Sequence, residues 1–142
     1  MMRKYLILAL SLLLTVVSCN PTEPEKTGPT SDDLVGAWEL TSVATKASVG
    51  GSTVNVYIAF NANGQFDLYQ QLGQGWYHHY SGTWSLSEDT IQGKYSNDAA
   101  WGPWTVTLGS GTLSLTKGTE QDTYKKISGI PDNVTAGAVD EN

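Results

Sequence analysis

Cysteine and basic residues are scarce in this chain of 142 residues. Cys19 is the single cysteine, so no disulfide can form within the chain. Lysine and arginine together number 8, against 14 aspartates and glutamates. After the first segment, which contains Arg3 and Lys4, only Lys125 and Lys126 are adjacent bases. Because nucleic-acid binding needs clustered positive charge, we expect no nucleic-acid partner.

Motifs that would indicate catalysis are also missing. The sequence contains no phosphate-binding loop, no dinucleotide fingerprint and no nucleophile elbow, and its histidines and acids are not ordered as in a catalytic triad. His78 and His79 look like a metal-ligand pair, but adjacent residues on a strand face opposite sides, so one metal ion cannot easily take both. We therefore predict a protein that is not an enzyme, with no catalytic residues, no metal and no cofactor.

A long apolar run occurs only near the start, over residues 5–17. Its length of about 13 residues is short of the roughly 20 that a helix needs to cross a bilayer. Arg3 and Lys4 precede it, and small residues lead into Cys19, which is the pattern of a cleaved signal peptide. The segment resembles a bacterial lipoprotein signal, which implies that Cys19 becomes the lipidated first residue. The alternative is a plain secretory signal with an incidental thiol.

The lipoprotein resemblance also implies a location. A lipid anchor on Cys19 would hold the protein in the cell envelope, and several acyl chains anchor more stably than one. Asn20 is not the aspartate that retains lipoproteins at the inner membrane in enterobacteria, so the outer membrane is favoured, with the periplasmic or surface face left open.

Composition divides the rest of the chain into three parts. Residues 19–33 combine Cys19 with prolines and charges and contain no large apolar side chain, so we predict a disordered tether after the signal peptide of residues 1–18. Residues 34–128 are long enough for one domain. Residues 129–142 are small and polar, and we expect an irregular tail.

The domain is predicted to be all-β. Glycines separate short runs of alternating apolar and polar residues, and no run has the period of an amphipathic helix. The predicted strands are 37–45, 53–60, 65–71, 75–86, 90–95, 103–108, 112–117 and 122–127. Connections this short imply antiparallel neighbours and an eight-stranded up-and-down meander. Closure into a barrel, which removes exposed edges, is favoured over a two-sheet sandwich, which normally needs longer crossovers.

The blocks beginning at Gly36-Ala37-Trp38 resemble the opening of lipocalins and related calycins. Later blocks at 60–66, 80–86, 113–116 and 124–127 resemble small lipocalin-like lipoprotein domains of Bacteroidetes. The resemblance implies that Trp38 packs across one end of the barrel, where Gly36 lets the chain pass closely. Gly82 and Trp84 are expected to be structural in the same way. An eight-stranded barrel is either filled by side chains or holds one small ligand.

The candidate ligand-binding residues are large or polar side chains expected on the inner face or at one end of the barrel. In the predicted fourth strand, Trp76, His78 and Tyr80 share a face with Trp84, and a few polar groups among apolar walls are typical of a ligand pocket. Tyr95 and Trp104 are expected to face inward as well. Trp101 lies outside the alternation, in a predicted loop at 96–102, where it is expected to plug the barrel rather than bind from an exposed position.

Two functions remain open at this point. The first is a membrane-anchored module that binds a small apolar or amphipathic ligand inside the barrel. The second is a non-catalytic accessory subunit of an envelope protein complex, with a packed interior and an envelope protein as its partner. A cavity lined by His78 and Tyr80 would favour the first, and an interior filled by large side chains would favour the second.

Overall fold

The computed structural model of the chain describes residues 28–43 and 53–141. The signal peptide, Cys19 and most of the predicted tether therefore lie outside the described residues. The elements in chain order are α1 (Ser31–Leu34), β1 (Gly36–Val43), β2 (Val54–Phe60), β3 (Gln65–Leu72), β4 (His78–Ser87), β5 (Thr90–Tyr95), β6 (Ala100–Leu108), β7 (Thr112–Lys117), β8 (Glu120–Ile127), α2 (Asp132–Thr135) and β9 (Val139–Asp140).

Strands β1 to β8 form a closed antiparallel barrel in meander order. Each strand pairs with its neighbours in sequence, and β1 pairs with β8 to complete the ring. The turn at residues 61–64 joins β2 to β3, and Asn61 N donates to Gln65 O over 2.8 Å. Gly64 has a φ of +83°, which glycine adopts readily in such a tight turn. The prediction of an eight-stranded meander barrel is confirmed.

Helix α1 closes the end of the barrel at which β1 begins, which we call the α1 end. Thr30 caps the helix, and its side chain and that of Asp33 form a reciprocal capping box. Leu34 is fully buried, and its carbonyl accepts a hydrogen bond from Trp38 Nε1 over 2.9 Å. Lys126 Nζ lies over the Trp38 ring, 4.9 Å from its centre, and donates a hydrogen bond to Val35 O. One short helix and one tryptophan thus form a hydrogen-bonded floor.

Aromatic side chains fill the barrel next to this floor. The ring of Phe60 lies 5.2 Å from that of Trp84 and 5.9 Å from that of Trp101, and Phe66 lies 5.1 Å from Trp101. Trp84 Nε1 donates to Gln65 O over 3.0 Å, so this buried ring has its polar atom satisfied. The rings pack edge-on or tilted, which is the favourable arrangement for aromatic pairs. This part of the interior is packed.

Two strand boundaries correct the expectations from sequence. Strand β4 begins at His78 rather than at residue 75, so Trp76 lies outside the strand and is 69% exposed. Strand β6 begins at Ala100 rather than at residue 103, and Trp101 is a buried strand residue instead of part of a loop. The other strand ends that the structure describes agree with the predictions to within two residues.

A bulge explains why Trp101 is out of phase with the alternation of residues 104–108. The pairing of β5 with β6 shifts between Ile91 and Gly93, and Gly102 takes a φ of +85°. A bulge adds one residue to a strand and resets its alternation. As a result Trp101 and Trp104, which are three residues apart, both pack into the interior.

The C-terminal segment is more regular than expected. Residues 129–141 contain helix α2 and the two-residue strand β9, which pairs in parallel with the start of β4. Val134 of α2 is buried, at 1% exposure. We call the end of the barrel where β9 lies the β9 end; it is opposite the α1 end.

Strands β4 and β5 approach each other closely at Gly93. A Cβ atom at Gly93 would lie 1.9 Å from the carbonyl oxygen of Thr83, and backbone cannot move aside cheaply. We expect Gly93→Ala to lower the free energy of unfolding by about 1–3 kcal/mol, measured by urea denaturation. Gly129→Ala is the control, because nothing lies within 4 Å of its added Cβ. Equal stability of the two variants would contradict this close approach.

Candidate functional site

The interior toward the β9 end contains a group of tyrosines that are not all fully buried. The rings of Tyr80 and Tyr95 lie 6.0 Å apart, and Tyr95 also contacts Phe66 at 5.7 Å. Both tyrosines are partly exposed, whereas Tyr124 is 5% exposed. We call Tyr80, Tyr95 and Tyr124 the tyrosine cluster. It lies between the packed rings of Phe60, Phe66, Trp84 and Trp101 and the β9 end of the barrel.

Burial favours the protonated form of Tyr95 and Tyr124. Burial raises the pKa of Tyr95, and Tyr80 adds to the effect. The pKa of Tyr124 is raised strongly by burial and further by Asp122 and Tyr95. A phenol that stays protonated can donate a hydrogen bond as well as accept one. Tyr95 and Tyr124 are therefore neutral donors at physiological pH.

Sequence reasoning missed two members of this region, Asp122 and Tyr124. In the register of β7 with β8, Asp122 lies opposite Leu115 and Tyr124 opposite Leu113. Leu113 and Leu115 are both buried, so the two residues facing them belong to the inner face of β8. The alternation of β8 could have indicated this, because Asp122 and Tyr124 are two residues apart in a strand.

Trp104 carries the one unsatisfied polar atom found among the described buried side chains. Its Nε1 atom is buried and has no hydrogen-bond partner. Trp104 packs against the core, and Lys117 Nζ lies 5.7 Å from the centre of its ring. A buried donor without an acceptor is costly, and most buried donors in proteins are paired. Trp104 Nε1 is therefore the atom of this interior that a bound acceptor would stabilise.

His78 lies at the rim rather than inside the barrel. Register places it opposite Gln70 and two residues before Tyr80, on the same face of β4 as that tyrosine. Its side chain is 47% exposed, and its Nδ1 atom is bonded to a carboxylate oxygen of Glu141. His78 thus meets the C-terminal segment and not the tyrosine cluster.

Trp76 stands outside the barrel. Its ring lies against Gly137, where an added Cβ atom would come within 3.1 Å of Trp76 Cζ3. Leu72 and Val139, which are also exposed, belong to strand ends at the same end of the barrel. The shorter β4 explains the difference from the sequence expectation, since alternation applies only within the strand.

The predicted candidates therefore separate into three groups. Tyr80, Tyr95 and Trp104 border the interior, Trp101 belongs to the packed core, and Trp76 and His78 lie at the rim or beyond it. Of the residues expected to be structural, Trp38 and Trp84 are buried. Gly36 and Gly82 both lie where a Cβ atom would be crowded, the first by Lys126 and the second by Lys94 O at 2.1 Å.

Clefts also occur on the outside of the barrel. One of about 630 Å³ lies at the α1 end beside Trp38 and Lys126, and one of about 450 Å³ lies over Gly93 and Gly102. Neither is lined by His78 or Tyr80. Within residues 28–43 and 53–141, no group of three or more histidine, cysteine or acidic side chains is arranged to hold a metal ion. The same residues include no helix long and apolar enough to cross a membrane.

Comparison with known proteins gives one match. The model of a family described as a lipocalin-like domain matches residues 34–129. That range begins at Leu34, the last residue of α1, and ends just after β8, so it covers the whole barrel. No curated protein and no solved structure matches the chain.

The unsatisfied atom of Trp104 can be tested against the satisfied one of Trp38. Trp38→Phe removes a donor and leaves Leu34 O without its partner, whereas Trp104→Phe removes a donor that bonds nothing. We expect Trp38→Phe to destabilise the protein by about 1–2 kcal/mol more than Trp104→Phe in urea denaturation. An equal or larger loss for Trp104→Phe would show that its Nε1 atom has a partner in solution.

Proposed function

The chain belongs to the lipocalin-like domain family, and from that membership we propose that it binds one small amphipathic ligand inside its barrel. The observation that carries the proposal is Trp104 Nε1, a buried donor without an acceptor on the inner wall. Lipocalin-like barrels of eight strands have room for one small ligand at most. The proposed ligand has an apolar body and a head group that accepts hydrogen bonds.

The tyrosine cluster supports the same site. Tyr80 and Tyr95 remain partly exposed, so this side of the interior is not sealed by packing as the α1 end is. Their hydroxyls and Trp104 Nε1 would be donors for the head group, and Leu40 and Val56, which pack partly buried against the core, would contact the apolar body. Such a mixture of apolar walls and few polar groups is typical of small-molecule sites.

A second function is favoured by a different observation. The interior near the α1 end is filled by Phe60, Phe66, Trp84 and Trp101. A fully packed barrel would make this protein a non-catalytic accessory subunit that meets an envelope protein through its outer surface. Ligand binding remains the first proposal because the packing loosens toward Tyr80 and Tyr95.

We further propose that the protein is a lipoprotein anchored through Cys19, as in the Bacteroidetes domains that its sequence resembles. The support is the short apolar run that ends at this single cysteine. The outer membrane is the favoured site. In this proposal the ligand is captured beside a membrane rather than carried freely through solution.

Binding can be measured with lauric acid and lauryl alcohol as probes. We expect native mass spectrometry to show one probe molecule per chain, and tryptophan fluorescence to report its affinity. Trp104→Phe should weaken binding of lauric acid about five- to tenfold, because one hydrogen bond to the head group is lost.

Trp76→Phe is the matched control for this measurement. Trp76 lies outside the barrel, so the affinity should not change. If neither probe binds, and protein purified from its own host carries no ligand, the packed-barrel alternative replaces the binding proposal.

Anchoring has its own test. Cys19→Ser should move the full-length protein from the membrane fraction to the soluble fraction and remove the mass of the acyl groups. Asn20→Ser leaves the cysteine in place and should remain membrane-bound. Retention of the Cys19→Ser variant in the membrane would overturn the lipid anchor.

A further inference from the structure

Strand β4 has an edge that its barrel neighbours do not cover. Strand β3 pairs with β4 from His78 onward, whereas on the other side β5 pairs with β4 only as far as Gly82, and Ser96, just after β5, donates to Ser81 O over 2.9 Å. The C-terminal strand β9 lies on the uncovered part. Val139 N donates to Tyr77 O over 2.8 Å, and Glu141 N donates to His79 O over 3.0 Å. These backbone bonds continue the sheet. Because β9 has only two residues, its backbone pairing with β4 is short.

Side chains fasten β9 on both faces of β4. On the inner face, His78 Nδ1 contacts Glu141. On the outer face, His79 Nδ1 lies 2.6 Å from Asp140 Oδ1, and His79 Nε2 lies 2.8 Å from Asp67 Oδ1 on β3. His79 therefore connects the tail, through its own ring, to the wall of the barrel.

The chemistry of these bonds fixes the proton count on His79. A carboxylate accepts hydrogen bonds and has none to give, so both ring nitrogens must donate. Only the imidazolium form carries a proton on each nitrogen. A neutral His79 has one N–H, so it must leave either Asp140 or Asp67 facing a nitrogen lone pair. Asn61 Nδ2 also donates to Asp67 over 3.0 Å, which holds that carboxylate in place. The side chain of Asp140 is 78% exposed and belongs to the short strand β9, so the bond to Asp140 is the one that a neutral His79 gives up.

From this geometry we propose that β9 is a proton-sensitive strap. With His79 protonated, the strap is held on the edge of β4; with His79 neutral, the bond to Asp140 is lost and the strap detaches more often. Release uncovers the edge of β4 at His78 and His79, the two residues that pair with β9. The strap is independent of whether a ligand binds in the barrel.

The charged and titratable groups around His79 come from three strands. Strand β3 contributes Asp67 and Tyr69, whose ring is stacked on His79 at 4.6 Å. Strand β9 contributes Asp140, and the next residue, Glu141, reaches His78 of β4. The neighbours of His79 are thus two acids, a tyrosine and, along its own strand, a histidine that is itself paired.

The balance of these groups favours the protonated ring. Burial acts to lower the pKa of His79, but the hydrogen bonds to Asp140 and Asp67 outweigh it, so the pKa is raised above its ordinary value of 6.5. A raised pKa in the folded state gives stability that is complete below the unfolded value and is lost as pH rises through the folded value. The strap should therefore be firmest below pH 6.5 and should loosen as the pH rises through the raised folded pKa of His79.

Amide hydrogen exchange on the full chain, without ligand, measures the strap directly. We expect the protection factors of the Val139 and Glu141 amides to fall about tenfold between roughly pH 6 and pH 9, since one charge-assisted bond is lost. Protection of amides in the barrel, such as Ile58 and Leu113, should stay constant over this range. Constant protection at Val139 and Glu141 would overturn the proposal.

Variants separate His79 from its neighbour. His79→Gln should reduce the protection of Val139 at pH 6 and remove its pH dependence, whereas His78→Gln should keep the pH dependence. If His79→Gln fails to fold, Asp140→Asn is the second variant, because its exposed side chain lies on the strap and not on the barrel. It should reduce protection at pH 6 in the same way, and a wild-type pH response in Asp140→Asn would contradict the proposed bond.

Discussion

Closure of the strand ring is the constraint on which the rest of this structure depends. A closed barrel leaves no strand edge unpaired only if neighbouring strands match in length. Strand β4 has 10 residues and β5 has 6, so β4 extends past its neighbour. The chain continues beyond β8 through α2 and returns to β4 as β9, which pairs with that extension. The tail thus completes the barrel wall, and the uneven strands explain why it is ordered.

The same ring limits what the interior can hold. Eight strands enclose a space that side chains nearly fill. Here the large rings of Phe60, Phe66, Trp84 and Trp101 occupy the part nearest the α1 end, and Trp38 forms the floor below them. The proposed ligand would therefore lie toward the tyrosine cluster. The three tyrosines of this cluster come from three strands, β4, β5 and β8.

Local patterns predicted the strands but not how they combine. The alternation of residues 54–60 and 112–117 gave β2 and β7 nearly to the residue, because each strand has one buried face. The bulge in β6 between Trp101 and Trp104 interrupts this regularity, so alternation alone predicts a loop at Trp101. The alternation of β4 extended back to residue 75 predicts an inward Trp76, but the strand begins only at His78. The alternation of β8 places Asp122 and Tyr124 on one face, and their pairing with the buried Leu115 and Leu113 of β7 identifies that face as the inner one.

The adjacent histidines of β4, His78 and His79, point to opposite faces of the strand, and this has two consequences. Because His78 and His79 face opposite sides of β4, they cannot easily share a metal ion. For the same reason they can hold a neighbouring strand from both faces, and each does so through an acid of the C-terminal segment. On the outer face, register continues this contact across the barrel: His79 lies opposite Tyr69, Tyr69 opposite Tyr57, and Tyr57 opposite Glu39, which pairs with Lys125 of β8. The tail is thereby attached to a row of polar and aromatic side chains that crosses most of the outer wall.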